Sequence, residues 1–256
     1  LLGEAGPVGV GFPRMLRLKL FERLAEVPLV PTRRGRALKP SGDCLILEFD
    51  RDDLDVDQAG KFIDLMEVPS KFADPCLLSK KACETLVELG SISAGGSWVA
   101  SDVKPTGNDL PGVVLSLREW VDQLHSHEKA RFLNRLEKRP VVLDAEGHWR
   151  PASDVILGGG LPKSVAKVLD LTFAQDLSDP ELRSFLEVSL GIRALDTEFA
   201  VERIVELSSR TGKTSVHDQL FGVLQSIWDN DPEGCEEALE SIDRDLDLDW
   251  DDNGEI

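Results

Sequence analysis

Two stretches of the chain share one pattern of apolar and polar positions. Residues 28–47 read PLVPTRRGRALKPSGDCLIL, and residues 140–157 read PVVLDAEGHWRPASDVIL. In each stretch a short β-prone run leads into a polar turn, and a second β-prone run follows a Pro-x-x-Asp bend. A glycine in each turn can adopt the positive φ that a hairpin corner requires. The pattern predicts a strand, a turn and a second strand in both places.

Five positions match between the two stretches. Pro28, Val30, Gly35, Pro40 and Asp43 in the first copy match Pro140, Val142, Gly147, Pro151 and Asp154 in the second. The first copy has one extra residue between its glycine and its second proline. We interpret six of these as structural turn residues, namely Pro28, Pro140, Gly35, Gly147, Asp43 and Asp154.

A helical pattern precedes each stretch at the same distance, LKLFERLAEV before Pro28 and ARFLNRLEKR before Pro140. Because a proline disfavours helical backbone at the residue before it, each helix is expected to end just ahead of the proline. Downstream, each copy reaches a helix that closes on Leu-Gly, with Gly90 and Gly191 at the expected left-handed position. The repeating unit is therefore helix, β-hairpin and helices, and its two prolines lie 112 residues apart (140 minus 28).

Further apolar stripes of helical period follow the second hairpin, in DTEFAVERIVELSS and SVHDQLFGVLQSIW. The predicted fold class is α+β, with two copies of the unit and a helix-rich second half. We expect residues 1–113 to form the first unit with a basic N-terminal segment, 114–228 the second unit, and 229–256 an acidic C-terminal tail. Ser116 and Glu119 form a capping-box pattern, which predicts that a helix starts there.

The net charge of −18 is distributed unevenly, since residues 1–40 are basic overall and the segment from Asp229 onward is strongly acidic. An acidic protein repels nucleic acid and anionic lipid, because phosphate binding requires clustered Lys and Arg. A protein partner is expected instead, and nucleic acid could bind only through the basic first segment. The candidate residues there are Arg14, Arg17, Lys19, Arg33, Arg34 and Arg36.

Composition indicates a folded, non-membrane protein. Hydrophobic residues make up 41% and charged residues 30%, which is typical of globular chains. No apolar run approaches the roughly 20 residues needed to cross a bilayer, so no membrane association is expected. Four scattered cysteines without a C-x-x-C pair predict reduced thiols and a cytoplasmic location. The first residue is Leu rather than Met, which suggests a piece of a longer polypeptide.

No complete catalytic or cofactor-binding motif is present in the sequence, so no catalytic residue and no cofactor is predicted. The string SSRTGKTS at residues 208–215 lacks the first glycine of a nucleotide-binding loop, because Leu207 stands at that position. His125 and His127 are predicted to lie within one helix. Side chains two positions apart on a helix point about 200° apart, so these two are not expected to share a metal.

The C-terminal string DWDDNGEI contains the weak candidates for a metal site. Asp249, Asp251 and Asn253 match positions 1, 3 and 5 of a calcium-binding loop. The glutamate that such a loop needs at position 12 is not in the sequence. We therefore predict a solvated acidic tail and no metal site.

The repeated hairpin sequences PLVPTRRGRALKPSGD and PVVLDAEGHWRPASD resemble segments of sacsin-like proteins, and LGIRALDTEFAVERIVE adds to the likeness. In that family a GHKL ATPase module is followed by long α+β regions. The resemblance implies a non-catalytic protein-interaction region of a larger chaperone-like or defence-related ATPase. Such a region would couple the nucleotide state to a client or partner protein.

Two hypotheses of other classes stay open. The chain could be an enzyme whose site is assembled from residues distant in sequence, for which a polar pocket with a strongly perturbed titratable group would be evidence. It could also be a nucleic-acid-linked regulatory protein that uses its basic start or its acidic end.

Overall fold

The first unit follows the predicted order of helix, hairpin and helices. The computed structural model of the chain describes residues 14–33, 35, 37–40, 44–47, 55–94, 99–158, 161, 163–210 and 214–245. In chain order the elements are α1 (Arg14–Ala25), β1 (Val30–Pro31), β2 (Ala37–Leu38), β3 (Leu45–Leu47), α2 (Val56–Ile63), α3 (Lys80–Glu88) and β4 (Ile92–Ala94). Short 3-10 turns at Pro69–Lys71 and Pro75–Leu77 connect α2 to α3.

A 3-10 turn (Ala100–Asp102) and a linking helix lead to the second unit. Its elements, with the linking helix first, are α4 (Leu110–Gln123), α5 (Ser126–Leu136), β5 (Val142–Leu143), β6 (Trp149–Arg150), the 3-10 turn Ala152–Asp154, α6 (Lys163–Val168), α7 (Pro180–Ser184) and a π-helical turn (Phe185–Ser189). Three more helices follow, α8 (Thr197–Arg210), α9 (Thr214–Asn230) and α10 (Pro232–Asp245). The predicted α+β class with a helix-rich second half is confirmed.

Both hairpins form, with equivalent strands and loops. β1 pairs antiparallel with β2, and β5 pairs antiparallel with β6. Val30 and Val142 are the first residues of the two hairpins. Residues 32–36 and 144–148 connect the paired strands, so the two loops have equal length. The extra residue of the first copy therefore lies after its second strand.

Each hairpin turns at its glycine. The φ angle is 73° at Gly35 and 87° at Gly147, in the left-handed region that residues with a Cβ rarely adopt. The amide of each glycine donates to the carbonyl three residues earlier, that of Thr32 or of Asp144, at 3.0 Å. These bonds close two turns of the same geometry.

The two units also share pairings outside the hairpins. Leu45 forms a parallel bridge with Phe72, and Ile156 forms a parallel bridge with Phe173. The residue after each phenylalanine donates its amide to the carbonyl of the bridged residue, at 2.9 Å in the first unit and 2.8 Å in the second. The structural duplication is therefore more extensive than the repeated sequence pattern.

Within the described part of the chain, three apolar clusters hold these elements together. The N-terminal core lies between α1 and the first unit's strands, and it contains Val30, Cys44, Ile46, Ala73, Leu86 and Leu89. The central core receives side chains from both units and from α4 and α5. The C-terminal core is formed mainly by α6, α8, α9 and α10.

The alternation of side chains along the strands separates the three cores. Leu45 and Leu47 belong to the central core, whereas Ile46 between them belongs to the N-terminal core. The second unit repeats this alternation between the next pair of cores. Leu157 lies in the central core, and its neighbour Ile156 lies in the C-terminal core. The two units are therefore stacked, and the strands of each lie between two cores.

The boundary expected between residues 113 and 114 falls inside α4, and this helix does not start at Ser116. Asp109 caps it, because the Asp109 carboxylate accepts the Gly112 amide at 3.0 Å. The Ser116 hydroxyl instead donates to the Gly112 carbonyl at 2.9 Å, a bond that a serine within a helix can form. Leu117 of α4 lies in the central core that both units share, so the two units are not separated at this point.

The segment 229–256 is not a solvated tail over its whole length. The boundary between residues 228 and 229 lies within α9, and Pro232–Asp245 form α10. Cys235 and Ala238 of α10 are buried in the C-terminal core. Asp231 caps the helix by accepting an amide of its first turn at 3.1 Å. Apolar residues at helical spacing thus hold this acidic helix against the protein.

Candidate functional site

A surface groove lies between α4, α5 and α7, next to the π-helical turn. Its cavity volume is about 490 Å³. The groove is lined by Arg118, Asp122, Lys129, Pro180, Glu181, Ser184, Phe185, Val188 and Ser189. These residues come from two segments that are distant in sequence and that the stacking of the helices brings together.

The π-helical turn shapes the apolar side of the groove. Asp179 caps α7, and its carboxylate accepts the Glu181 amide at 2.8 Å. The helix then widens, because the Leu190 amide donates to the carbonyl of Phe185, five residues earlier, at 3.3 Å. Phe185 is 7% exposed at the base of the turn, whereas Val188 is 81% exposed. π-helical turns occur frequently at functional sites, so this exposed valine draws attention to the groove.

Two ion pairs form the rim of the groove. Arg118 contacts Glu181 at 2.7 Å, and Lys129 contacts Asp122 at 3.3 Å. Hydrogen bonding to Glu181 raises the pKa of Arg118, so this guanidinium stays charged and does not act as an acid or a base. Solvent-exposed pairs of this kind contribute little to stability. Protein interfaces also place apolar side chains inside a polar rim, and Val188 has this setting.

A second cluster of polar groups lies in the turn of the second hairpin. Asp144, Glu146 and His148 could each offer one ligand atom, and these atoms lie within 4.8 Å of one another. Asp144 is only 1% exposed. Its Oδ1 accepts hydrogen bonds from the amides of Glu146 and His148 at 2.9 and 2.8 Å. Its Oδ2 accepts a hydrogen bond from Nε of Arg150 at 3.0 Å.

These contacts show that Asp144 caps the hairpin turn. Both carboxylate oxygens of Asp144 already accept hydrogen bonds from the protein. Burial raises the pKa of Asp144, but the hydrogen bonds from the His148 amide, Arg150 and the Glu146 amide outweigh it and leave the pKa below its usual value. A cation at this place would compete with the Arg150 guanidinium for the Asp144 carboxylate.

The other predicted turn residues that the structure describes are solvent-accessible. Pro28 is exposed and follows α1, which ends at Ala25. Pro140 is half-buried and follows α5. Asp154 is exposed, and its amide donates to the Pro151 carbonyl at 3.1 Å in the 3-10 turn. Asp43 lies outside the described residues.

Two of the six basic candidates for nucleic acid, Lys19 and Arg33, have side chains that the structure describes. Arg33 is engaged with Asp64 through two hydrogen bonds, at 3.3 and 3.0 Å. Lys19 is exposed on α1. The side chains of Arg14 and Arg17, and all of Arg34 and Arg36, lie outside the part of the chain that the structure describes.

The prediction that His125 and His127 lie within one helix is wrong. α4 ends at Gln123 and α5 begins at Ser126, so His125 stands between the helices instead of within one. The rings of His125 and His127 are stacked, with centroids 6.0 Å apart and an interplanar angle of 8°. The break in the helix allows both rings to point the same way.

The candidate calcium ligands Asp249, Asp251 and Asn253 lie outside the described residues. Comparisons with protein-family models, with curated proteins and with solved structures found no match to the chain. Within the described residues, no helix is both long enough and apolar enough to span a bilayer.

Proposed function

We propose that the chain is a protein-interaction region of a larger sacsin-like, chaperone-related or defence-related ATPase, without catalysis of its own. The observation that carries this proposal is the exposure of Val188 beside the buried Phe185, within a groove bounded by charged pairs. An exposed valine in such a setting favours contact with an apolar side chain of another protein. The charged rim favours a partner segment that also bears polar groups.

The polar chemistry of the described residues also favours a binding role. Asp144, the buried carboxylate, is occupied by its own turn and by Arg150. Arg33 is occupied by Asp64, which reduces its availability for phosphate. An enzyme with a site assembled from distant residues and a nucleic-acid-linked regulator remain the alternative hypotheses. A cytoplasmic location remains a prediction from the cysteine pattern.

Site-specific photocrosslinking in the cell that produces the protein would test this role. A benzophenone amino acid is placed at position 188 or, as a matched control, at position 87. Val87 is also an exposed valine near the end of the third helix of its unit, at 42% exposure, but it does not line the groove. We expect discrete adducts with another protein from position 188 and not from position 87.

A second variant separates binding at the groove from nonspecific contact. With the crosslinker at Ser189, Val188→Asp should reduce the adduct about tenfold, because a carboxylate would be forced into an apolar contact. The variant should fold normally, since Val188 is 81% exposed. Identical adducts from positions 188 and 87, or no effect of Val188→Asp, would contradict the proposal.

A further inference from the structure

The helices that precede the two hairpins differ in burial at equivalent positions. With the spacing of 112 residues, Leu24 of α1 corresponds to Leu136 of α5, and Leu20 corresponds to Phe132. Phe132 is 0% exposed, whereas Leu20 is 47% exposed. The counterpart of Lys19 is Arg131, which is exposed in the second unit as Lys19 is in the first. α1 thus exposes an apolar side chain at the position where the equivalent helix of the second unit buries one.

The first unit is what covers Phe132 in the second unit. The Phe132 ring lies 5.8 Å from the ring of Phe62, which belongs to α2. Phe62 in turn stacks on Trp120 of α4, with centroids 4.4 Å apart. The helix before the second hairpin is therefore buried by aromatic side chains that the preceding unit and its linking helix provide.

The cores show the same relationship. The N-terminal core residues Val30, Cys44, Ile46, Ala73 and Leu89 correspond to Val142, Val155, Leu157, Ala174 and Leu190. All five counterparts belong to the central core, which joins one unit to the next. The α1 side of the first unit is thus the structural equivalent of an inter-unit interface.

The outer face of α1 is apolar and basic. Leu16, Lys19, Leu20 and Arg23 follow the helical i, i+3, i+4, i+7 spacing and form one stripe, which we name the α1 face. Leu16 is 53% exposed. Lys19 and Arg23 are exposed on this face, and acidic residues of a docked unit would complement their charge.

We propose that the α1 face binds a further unit of the same kind, carried by the same polypeptide ahead of α1. That unit supplies helices equivalent to α2 and α4, with an aromatic side chain against Leu20. A second copy of this chain does not fit the requirement, because its Phe62 and Trp120 are 0% and 2% exposed and already lie in the central core. Stacked repeats bury a continuous core in this way, each unit covering its neighbour.

The test compares the labelling of one introduced cysteine in the 256-residue chain and in the full natural polypeptide. Leu20→Cys and, as the control, Val87→Cys are introduced in a Cys76→Ser, Cys83→Ser background, since Cys76 is exposed and Cys83 is partly exposed, whereas Cys44 and Cys235 are buried. Val87 lies three residues before Gly90, and Val188 lies three residues before Gly191, so the two valines are counterparts. Val188 is exposed even though the first unit is in place. Maleimide should label Leu20→Cys about tenfold more slowly in the full polypeptide, and Val87→Cys at an unchanged rate.

Other occupants give different results, each of which overturns the proposal. A second copy would make labelling of the 256-residue chain slow down with protein concentration. Coverage by residues 1–13 would make labelling slow in that chain and fast after their removal. Equal rates in both proteins, or a natural reading frame without such a unit ahead of α1, would also refute it.

A stability measurement provides an independent readout. Leu20→Asp should leave the unfolding midpoint of the 256-residue chain nearly unchanged, because Leu20 is 47% exposed there. In the full polypeptide the same variant should lower the Tm of the unit or prevent its docking, since the carboxylate would be buried. A variant that affects both proteins equally would count against the docked arrangement. These variants leave Val188 intact, so this proposal and the proposed function can fail separately.

Discussion

Thr32 and Asp144 occupy the same position in the two hairpins, and each accepts the amide of its turn glycine on its main-chain carbonyl at 3.0 Å. Both are buried, at 4% and 1% exposure. They also bridge equivalent alanines, Ala73 and Ala174. At position 144 the side chain is a carboxylate that binds two amides of its own loop and Arg150. The second turn is thus held by charge-assisted bonds, which are stronger than neutral ones.

Asp144→Asn should therefore destabilise the protein by about 1–3 kcal/mol, because an amide group cannot accept all three hydrogen bonds and would leave a buried donor unsatisfied. Urea unfolding followed by circular dichroism would measure the change. Asp154→Asn is the matched control, since Asp154 is an exposed aspartate of the same hairpin region. The control should change stability by less than about 0.5 kcal/mol. Equal effects of the two substitutions would contradict the role of Asp144.

The contribution of Asp144 should also depend on pH. Its pKa in the folded protein lies below the usual value, because hydrogen bonds from the His148 amide, Arg150 and the Glu146 amide outweigh the opposing effect of burial. A depressed pKa stabilises the folded state fully above the unfolded-state value of about 3.9, and this stabilisation is lost as the pH falls through the folded-state pKa. The stability difference between the wild type and Asp144→Asn should therefore shrink below about pH 4. Urea midpoints across an acid series would show a constant difference if this assignment were incorrect.

Alanine substitutions at the two turn glycines should change the free energy of unfolding through backbone strain alone. A Cβ at Gly35 or Gly147 would meet no atom within 4 Å, so steric clash does not contribute. The positive φ at both positions predicts a loss of about 1–2 kcal/mol for Gly35→Ala and for Gly147→Ala. Gly222→Ala is the control, because Gly222 lies within α9 with open space around it. It should stabilise the protein by about 0.5–1 kcal/mol in the same denaturant assay.

Local sequence signals predicted the repeated unit because its turns depend on single residues. Glycine at a left-handed corner and proline after a helix act through the backbone alone, so Gly35, Gly147, Pro28 and Pro140 could be interpreted without tertiary information. The start of α4 was not predicted, since Ser116 bonds back to Gly112 within the helix. The same serine-first pattern can thus occur within a helix as well as at its start.

The groove could not be predicted, because its residues meet only after the units stack. Arg118 and Glu181 are far apart in sequence, and each alone resembles an ordinary helix-surface charge. The π-helical turn at Phe185–Ser189 lies in a stretch whose apolar residues have normal helical spacing. No sequence signal therefore indicated that Val188 would be turned outward into solvent. Likewise, the sequence pairs Leu20 with Phe132, but only the structure shows that Phe132 is buried and Leu20 is exposed.

Gly60 should show energetic coupling to Arg33. A Cβ at Gly60 would lie 2.8 Å from Cζ of Arg33 and closer still to Nη1, so the glycine makes room for the guanidinium that binds Asp64. Gly60→Ala should be neutral or destabilising in the wild type, since displacing Arg33 offsets the gain in helix propensity. In an Arg33→Ala background it should stabilise the protein by about 0.8–1 kcal/mol. A double-mutant cycle in urea would reject the coupling if both backgrounds gave the same change.

Cys76 should be an accessible but slow thiol. Burial raises its pKa, and the nearby carboxylates of Asp74 and Asp57 raise it further. The thiol donates to the Val56 carbonyl at 3.5 Å and to Asp57 at 3.7 Å. Because the thiolate is the reactive form, alkylation of Cys76 by iodoacetamide should be slower than that of a free peptide thiol near pH 7 and should accelerate at alkaline pH.

Removal of one carboxylate tests the electrostatic part of this account. Asp57→Asn should lower the pKa of Cys76 and increase its alkylation rate near neutral pH, as followed by mass spectrometry of the peptide that contains it. Asp122→Asn, which alters an exposed aspartate in the groove, is the control for a general change of surface charge. If the two variants accelerated the reaction equally, the effect would come from net charge. If neither changed it, the carboxylates would not control this thiol, and its reactivity would depend on burial alone.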